Sequence, residues 1–456
     1  MTKEEKNKSF EARQIVKLEK EKKKPKTAFY FFLIVVLILL VDILDNFTTN
    51  TPGYVQSNVI YTFFPNNTVE GFAIHNAVSL ISYVIGLIAP FYKALGDKYG
   101  RKPLFVLSTL GMTLGLFITL ISSNYVVFMV GSVISQFFLG NDIQILYILE
   151  EAPSDKRATV YSLVKALGGL SSLSIPFLRG LILNEDGTNW RQLYLIPAIF
   201  GIVVAALVFL LARETSTFVK ERSELLAIPY ETRQEQIRKE KEDKKKSGII
   251  PAIKYIFRHK PIRNLLIIKC IFDIAILAIQ NTNIIMRDDF GYSEQAFTKA
   301  GYFFPIFYCL SVLVSGFLAD MIGRKKVVCI FGSVTLVTFI LFIVFCNRGL
   351  SPVLIGIMYG LYLGGYWIGR DYMEIIATEM VPTGIRSSVI GAFALLVYSG
   401  MAVGFGLNAL LPMLVGKFWI SSLIITVPAV LVSVVLLAVL VKETKGVDYD
   451  AIENDL

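Results

Sequence analysis

The sequence contains few of the residues that build metal centres, disulfides or catalytic sites. Its 456 residues include four cysteines and two histidines, and only 18% of the residues are charged. The cysteines lie in or at the ends of apolar stretches, without a close CxxC pair or a histidine partner, so we expect neither a disulfide framework nor a metal site. The chain also lacks a GxxxxGK[ST] phosphate loop and a nucleophile with a neighbouring base. These absences argue against an ATP-driven pump and against an enzyme.

Apolar sequence is what the chain has in excess. Hydrophobic residues make up 54% of it and the mean hydropathy is +0.59, a balance that excludes an ordinary soluble core. A helix that crosses a bilayer needs about 20 apolar residues. The composition therefore predicts an all-α polytopic membrane protein. Twelve apolar runs, numbered here as spans 1 to 12, occur at 28–46, 71–92, 103–122, 125–149, 158–182, 192–212, 264–286, 299–319, 327–346, 352–378, 387–412 and 418–441.

The distribution of charge indicates how these spans are oriented. The net charge of +9 is concentrated in the tail 1–27 and in the segment 213–263, which both flank apolar runs. An excess of Lys and Arg beside a span marks its cytoplasmic side, and the loop 46–76 on the other side contains neither residue. We therefore expect a multi-pass protein of the plasma membrane with both termini in the cytoplasm. Its basic residues are expected to face the lipid bilayer and not nucleic acid.

These features divide the sequence into five parts. The first apolar run has full spanning length and no small-residue cleavage site follows it, so it is predicted to be a retained helix and not a signal peptide. The parts are a basic cytoplasmic tail (1–27), a first six-helix bundle (28–213), a cytoplasmic linker (214–262), a second six-helix bundle (263–442) and a cytoplasmic tail (443–456).

The two halves of the sequence repeat one another. GDKYGRK, which begins at Gly96, returns as ADMIGRK, which begins at Ala319. GNDIQILYILEEAPSDKR returns as GRDYMEIIATEMVPTGIR, and ARET after span 6 returns as VKET after span 12. Three matches in the same order, each at the cytoplasmic end of the corresponding span, indicate a duplicated six-helix unit with parallel halves.

These motifs resemble those of the major facilitator superfamily, and most closely its sugar porters and the related organic-ion and metabolite:proton symporters. The two DxxGRK loops resemble the superfamily's signature between spans 2 and 3 and between spans 8 and 9. The ExxPxxxR and ET segments resemble those of the sugar porters. The resemblance implies twelve transmembrane helices, arranged as two parallel-repeat six-helix bundles around a central cavity. It also implies a monomer that works by alternating access.

The resemblance further implies that the repeated charges form a cytoplasmic gate. Opposite charges at the helix ends would hold the inner faces of the bundle closed and separate when the site opens inward. The spacing alone equally allows static pairing between helices. The gate residues are Asp97, Gly100, Arg101, Lys102, Glu150, Arg157, Asp320, Gly323, Arg324, Lys325, Glu379 and Arg386.

Some details depart from the sugar-porter pattern. Span 7 contains IQNTN instead of QQxxGxN, and Trp367 lies well upstream of Glu379 instead of near it. In span 1, DILD resembles the DGxD pattern of aromatic-acid proton symporters, with Ile43 in place of the glycine. The resemblance is therefore specific for the superfamily and weak for the substrate.

Ionisable residues inside the spans are the main candidates for a transport site, because a charge at bilayer depth needs a cavity or a partner. Spans 3, 6, 9 and 12 contain none, whereas spans 1, 4, 7 and 10 hold most of them. Carboxylates outnumber the bases Lys165, Lys269 and Arg370, which favours proton coupling or a cationic substrate. Alternatively, Lys269 pairs with Asp273 and the other two bases pair with acids on other helices. The candidates for substrate and proton binding are Asp42, Asp45, Asp142, Asp273, Gln280, Asn281, Asn283, Arg370, Asp371 and Glu374.

We therefore expect a secondary transporter of a small polar organic solute, driven by the proton gradient and without another cofactor. Proton symport of a sugar-like or carboxylate metabolite is the first choice, with Asp42, Asp45 or Asp142 as the coupling site. Asp42 and Asp45 lie one helical turn apart and can share a proton if they are buried together. Two alternatives stay open. They are a proton-coupled efflux antiporter of organic cations or drugs, and a transporter-like nutrient sensor that binds without moving solute.

Overall fold

The computed structural model describes residues 3–24, 26–86, 95–139, 143–152, 157–233, 235, 249–382 and 385–445. All regular structure in these residues is helical, as the composition predicts. In the first half the helices are α1 (Lys3–Lys22), α2 (Ala28–Tyr54), α3 (Gln56–Phe63), α4 (Thr68–Gly86), α5 (Gly96–Tyr99), α6 (Arg101–Leu120), α7 (Tyr125–Leu139), α8 (Ile143–Glu151), α9 (Arg157–Ser171), α10 (Ser174–Ile182), a 3₁₀ segment (Trp190–Tyr194) and α11 (Leu195–Leu211). The linker and second half contain α12 (Ser216–Ala227), α13 (Ile249–Arg258), α14 (Lys260–Asp273), a 3₁₀ segment (Ala278–Gln280), α15 (Thr282–Ile284), a π-helical turn (Ile285–Asp289), α16 (Glu294–Gly301), α17 (Phe303–Ile322), α18 (Arg324–Asn347), α19 (Pro352–Glu379), α20 (Arg386–Val415) and α21 (Phe418–Leu440).

Eight helical segments in the described part of the chain are long and apolar enough to cross a membrane. They correspond to predicted spans 1, 3, 6 and 8 to 12. The described residues of span 2 lie on α4, those of span 4 lie on α7 and α8, and those of span 5 lie on α9 and α10. The eight are Ala28–Tyr54, Arg101–Leu120, Trp190–Leu211, Glu294–Ile322, Arg324–Asn347, Pro352–Glu379, Ser388–Val415 and Phe418–Leu440.

Span 7 is a broken helix. α14 ends at Asp273, and irregular turns and a 3₁₀ segment separate it from α15. Two glycines of span 11, Gly400 and Gly404, lie against the carbonyl groups of Cys270 and Ile274, where a Cβ atom would overlap the backbone. Irregular backbone at membrane depth is tolerated only where protein covers it or where it lines a cavity. The close approach of span 11 supplies such cover on one side of the break.

The helices pack into two compact units. Segments 50–81 and 172–193 belong to the first half of the sequence, yet they pack in the unit that contains the second half. The domain boundaries expected at 213 and 263 describe the sequence duplication, and they stay predictions. The first unit comprises Met1–Thr49, Ser82–Ser171 and Tyr194–Lys244, and the second comprises Asn50–Ile81, Ser172–Leu193 and Lys245–Leu456.

In the first unit, the tail and the linker are folded against each other. Helix α1 and helix α12 share a small apolar core. Gln14 of α1 also donates a hydrogen bond to the backbone oxygen of Lys98, at 2.8 Å, in the loop between spans 2 and 3. The tail and linker therefore lie beside one of the predicted gate motifs. The apolar core consists of Leu18, Phe218, Val219 and Leu226.

Candidate functional site

The glycine of each DxxGRK motif has a backbone conformation that other residues rarely adopt. Gly100 has φ of 109° and Gly323 has φ of 97°. A Cβ atom at either position would also overlap a carboxylate, that of Glu214 beside Gly100 and that of Glu443 beside Gly323. Glycine adopts the positive φ without strain and has no Cβ atom to overlap the carboxylate. The structure therefore explains why both motifs have glycine at this position.

Glu214 and Glu443 cap the helices that begin at these glycines. The Oε1 atom of Glu214 accepts hydrogen bonds from the backbone nitrogens of Arg101, at 2.5 Å, and Lys102, at 3.0 Å. Glu443 caps α18 in the same way, with the backbone nitrogens of Arg324 and Lys325 at 2.8 and 3.2 Å. A carboxylate is stabilising there because the N-terminus of a helix carries partial positive charge.

Sequence reasoning did not place Glu214 or Glu443 among the site residues. The repeated ARET and VKET segments were the available signal. That signal shows that the two glutamates are equivalent, and it does not show which helix ends they reach.

The first inner cluster consists of Arg101, Glu150, Glu214 and Thr215. Arg101 Nε lies 3.0 Å from Glu150 Oε1, and the Thr215 hydroxyl donates to the other oxygen of Glu150. The guanidinium of Arg101 lies over the ring of Phe218, 5.6 Å from its centroid. Arg101 and Glu150, two members of the predicted charge cluster, thus pair within one half of the sequence.

The second inner cluster consists of Arg324, Glu379, Glu443 and Thr444, and it repeats these contacts. Arg324 Nε lies 3.1 Å from Glu379 Oε1, and the Thr444 hydroxyl donates to the other oxygen of Glu379. Asp320 lies 3.7 Å from Arg324. The role of both inner clusters as a cytoplasmic gate stays a prediction.

The remaining predicted gate residues take different positions. Arg386 Nε donates to the backbone oxygen of Val381 at 3.0 Å, and Lys325 Nζ donates to the backbone oxygen of Ala438 at 2.7 Å. The side chains of Asp97 and Arg157 lie outside the described residues.

Asp42 forms the ion pair of span 1. Its carboxylate is fully buried and lies 2.7 Å from Lys165 Nζ of span 5. Asn46, one turn later, donates to the other carboxylate oxygen at 3.3 Å. Gly168 provides the space, because a Cβ atom there would overlap this second oxygen. The pairing of Lys165 with an acid on another helix, which the sequence left open, is therefore formed.

Asp45 has partners different from those of Asp42. Gln144 of span 4 donates to Asp45 Oδ2 at 3.1 Å, and Thr49 donates to Oδ1 at 3.3 Å. These hydrogen bonds differ from the ion pair of Asp42 with Lys165. Asp142, the third predicted coupling residue, lies outside the described residues and stays a prediction.

A second group of charges joins spans 7 and 10. Lys269 Nζ lies 3.2 Å from Glu374 Oε1 and 3.8 Å from Asp273 Oδ2. Arg370 Nε lies 3.3 Å from Asp273 Oδ1, and Arg370 Nη1 lies 4.0 Å from Glu374 Oε1. These four residues, called here the span 7–10 quartet, contain two positive and two negative charges. Asp371 follows in the chain and is exposed.

Of the polar residues predicted in span 7, Gln280 and Asn281 lie within the break and Asn283 lies in α15. Asn281 donates to Asn408 Oδ1 at 2.8 Å and to Ser422 Oγ at 3.0 Å. Asn283 accepts from the backbone nitrogen of Ser57 at 2.8 Å. Gln280 donates to the backbone oxygen of Ile276 at 2.6 Å. Asn281 and Asn283 are buried in contacts between helices, and their role in substrate binding stays a prediction.

Sequence reasoning missed a buried arginine. Arg179, which is not among the predicted site residues, is completely buried in α10. It forms an ion pair with Glu294, which also pairs with Arg287. Its position within an otherwise apolar run was the available signal.

The helices, the duplicated inner clusters and the buried charges within the spans are features of a membrane transporter. The sequence profile of the Major Facilitator Superfamily matches residues 27–404. The chain therefore belongs to the major facilitator superfamily and is a multi-pass membrane transporter, not an enzyme. The predicted family and twelve-helix fold are confirmed.

Proteins of known or assigned substrate resemble this chain along most of its length. The glucose transporter GlcP of Staphylococcus epidermidis is 23% identical over 364 residues, which cover 74% of this chain and 78% of GlcP. The inward open structure of the xylose transporter XylE from E. coli covers 93% of this chain and 99% of its own, with 14% identity and a TM-score of 0.66. A crystal structure of a D-xylose-proton symporter covers 92% and 99%, with 12% identity and a TM-score of 0.65.

Proposed function

We propose that this protein moves a neutral, sugar-like solute across the plasma membrane by alternating access, in symport with protons. The observation that carries the proposal is the pairing of Lys165, Lys269 and Arg370 with carboxylates. These are the three bases that the sequence places in the cavity. Since each already has an acidic partner, an anionic solute would have to displace a carboxylate, whereas a polyhydroxyl solute needs only hydrogen bonds. The names of GlcP and of the xylose transporters support the same substrate class.

Asp42 is the proposed proton site. Its carboxylate is fully buried, while 34% of the Lys165 side chain is exposed. Protonation of Asp42 would remove the charge that holds Lys165, whose ammonium could then donate to a solute hydroxyl. Loss of the proton would restore the ion pair and release the solute. Such an exchange links one proton to one binding event because a buried charge needs a partner.

Within the second unit, the span 7–10 quartet is the group that we propose to contact the solute. It carries balanced charge, and 52% of the Glu374 side chain is exposed. Trp367 lies against Arg370, with the guanidinium 5.5 Å from the ring centroid. A carboxylate and an aromatic ring that both contact Arg370 suit a sugar, which has both hydroxyls and an apolar face. The break after Asp273 adds peptide groups that regular helices would not offer.

The test is a record of internal pH in proteoliposomes that contain the purified protein. An inward gradient of glucose or xylose is expected to acidify the lumen, because symport carries protons with the sugar. Asp42→Asn is expected to abolish this acidification while solute exchange without a proton gradient persists. Asp186→Asn, a change in an exposed loop residue, is the matched control and should behave as the unsubstituted protein.

Other outcomes decide against parts of the proposal. Acidification that survives in Asp42→Asn removes Asp42 from the coupling step. A pH change of opposite sign with organic cations supports the efflux antiporter. Sugar binding without flux supports the nutrient sensor. Acidification with carboxylates alone would contradict a neutral substrate.

A further inference from the structure

Arg179 is buried and hydrogen-bonded through each of its three guanidinium nitrogens. Its Nε atom donates to the hydroxyl of Thr298 at 3.0 Å, Nη1 donates to the backbone oxygen of Tyr54, and Nη2 donates to Glu294. The ring of Phe297 lies beside the guanidinium, with 5.0 Å between Arg179 Cζ and the ring centroid. A buried arginine held in this way fixes the positions of the segments that it joins.

Glu294 is the centre of the same group of contacts. Besides Arg179, it accepts a hydrogen bond from Asn58 Nδ2 at 2.5 Å and forms an ion pair with Arg287. The backbone oxygen of Gly187 accepts from the same Asn58 nitrogen at 3.1 Å. A Cβ atom at Gly187, where φ is 64°, would overlap both Asn58 and Glu294. The loop before span 6 is therefore packed directly onto this carboxylate.

Further hydrogen bonds connect the same segments. Ser57 donates through its hydroxyl to Asp288 at 2.9 Å and through its backbone nitrogen to Asn283 at 2.8 Å. The Tyr54 hydroxyl donates to the backbone oxygen of Gly301 at 2.8 Å. Ten residues make up what we call the outer network. They are Tyr54, Ser57, Asn58, Arg179, Gly187, Asn283, Arg287, Asp288, Glu294 and Thr298.

The outer network joins the two halves of the sequence. Tyr54, Ser57 and Asn58 follow span 1, and Arg179 lies in span 5, whereas Glu294 begins the helix of span 8. These residues lie at the opposite ends of their spans from the inner clusters. The contacts also explain why 50–81 and 172–193 pack in the unit that holds the second half. By contrast, each inner cluster lies within one half.

We propose that Arg179 and Glu294 form the charged latch of the outer gate. The proposal rests on the alternating access assigned above, because the latch must separate whenever the site opens outward. Desolvation of a buried ion pair offsets most of its Coulomb attraction. Water that enters during opening rehydrates both charges, so the pair can separate without a prohibitive cost. Removal of Glu294 leaves Arg179 buried without this counterion, and removal of Arg179 leaves Glu294 with one of its two arginine partners, Arg287. Both changes favour the open, hydrated state.

The experiment measures the distance across the outer network by pulsed electron spin resonance in lipid nanodiscs. Spin labels are attached at Glu185→Cys and Gln295→Cys, two exposed positions, after the four native cysteines are replaced by serine. Glu294→Gln and Arg179→Gln are each expected to increase the population with the longer distance by about fivefold or more. The double variant should shift less than the two single shifts together, because no charge of the Arg179–Glu294 pair is then left buried without the other.

Two further variants keep the test decisive. Arg348→Gln, an exposed arginine outside the network, should leave the distances unchanged. Gly187→Ala keeps all charges and pushes a methyl group against Asn58 and Glu294, so it should also favour the longer distance even if Arg179→Gln fails to fold. Unchanged distances in folded Glu294→Gln and Gly187→Ala would overturn the latch. Since the distances are recorded without solute or a proton gradient, this result is independent of the sugar and proton assignments.

Discussion

The two inner clusters have the same bonds and different surroundings. In the first, the side chains of Arg101 and Glu150 are 8% and 9% exposed. In the second, the corresponding values for Arg324 and Glu379 are 24% and 29%. The two copies of the motif thus have the same charges and the same partners, but their side chains are exposed to water to different extents.

The cover of the first cluster comes from the tail and the linker. Phe218 of α12 lies over Arg101, and Leu18 of α1 packs against Phe218. Gln14 connects both helices to the motif, since it donates to Lys98 and accepts from Arg222 Nε at 2.9 Å. An ion pair that is shielded from water interacts more strongly than an exposed one and is costlier to break on one side. The same substitution should therefore change the free energy of unfolding by different amounts in the two copies of the motif.

The largest difference is expected from removal of the arginine. Arg101→Gln leaves Glu150 buried without its main counterion, and we expect a loss of about 3 kcal/mol in the free energy of unfolding. Arg324→Gln should lose about 1 kcal/mol, because water reaches Glu379. Unfolding midpoints in a denaturant series on purified protein measure both losses. Equal losses would show that the different burial of the two clusters does not change the stability that their arginines contribute.

Substitution of the two motif glycines should reduce stability by the same amount in both copies. Gly100→Ala and Gly323→Ala each place a side chain at positive φ and against a capping carboxylate, so each should lose about 2 kcal/mol. Gly391→Ala is the control, since a Cβ atom there meets nothing within 4 Å and alanine favours a helix. The same unfolding measurement should give a small gain for this control. A difference between the losses in Gly100→Ala and Gly323→Ala would contradict this. It would indicate that the packing of α1 and α12 over the first cluster also affects how costly a side chain is at the glycine position.

Glu214 should make stability depend on pH. Burial raises the pKa of the Glu214 carboxyl above its ordinary value of 4.5, and the backbone N–H groups of Lys102 and Arg101 lower it in part. A raised pKa means that the folded state takes up the proton more readily than the unfolded state. This contribution is fully present below pH 4.5 and is lost as the pH rises through the folded-state pKa. Unfolding of the unsubstituted protein and Glu214→Gln, compared between acid and neutral pH, should show the difference, and a pH-independent difference would contradict it.

The smallest effect is expected from Gln14→Ala. The substitution removes the hydrogen bonds to Lys98 and Arg222, for a loss of about 1 kcal/mol. Hydrogen exchange at residues 96–101 should become faster, while exchange at 319–325 stays the same. If Arg101→Gln is then introduced, its cost should fall toward that of Arg324→Gln. No change in that cost would mean that α1 does not shield the first cluster.

Much of this architecture could be predicted because it depends on properties that act along the chain. Apolar run length predicted the spans. The repeated motifs predicted one charge cluster that contains Arg101 and Glu150 and another that contains Arg324 and Glu379, without deciding which charges pair. The capping roles of Glu214 and Glu443 could not be predicted, because each depends on where the end of one helix meets the start of a distant one. The partner of Asp42 was open for the same reason, since Lys165 is 123 positions away.

The sequence by itself determined the helical class, the duplication and the family, because hydrophobic length and local motifs are written in consecutive residues. Only the tertiary structure decided the different exposure of the two inner clusters, the balanced charges of the span 7–10 quartet and the burial of Arg179. Each of these depends on side chains from several helices meeting in one place. The energy of a charge depends on the water and counterions around it, and those surroundings exist only once the helices have packed.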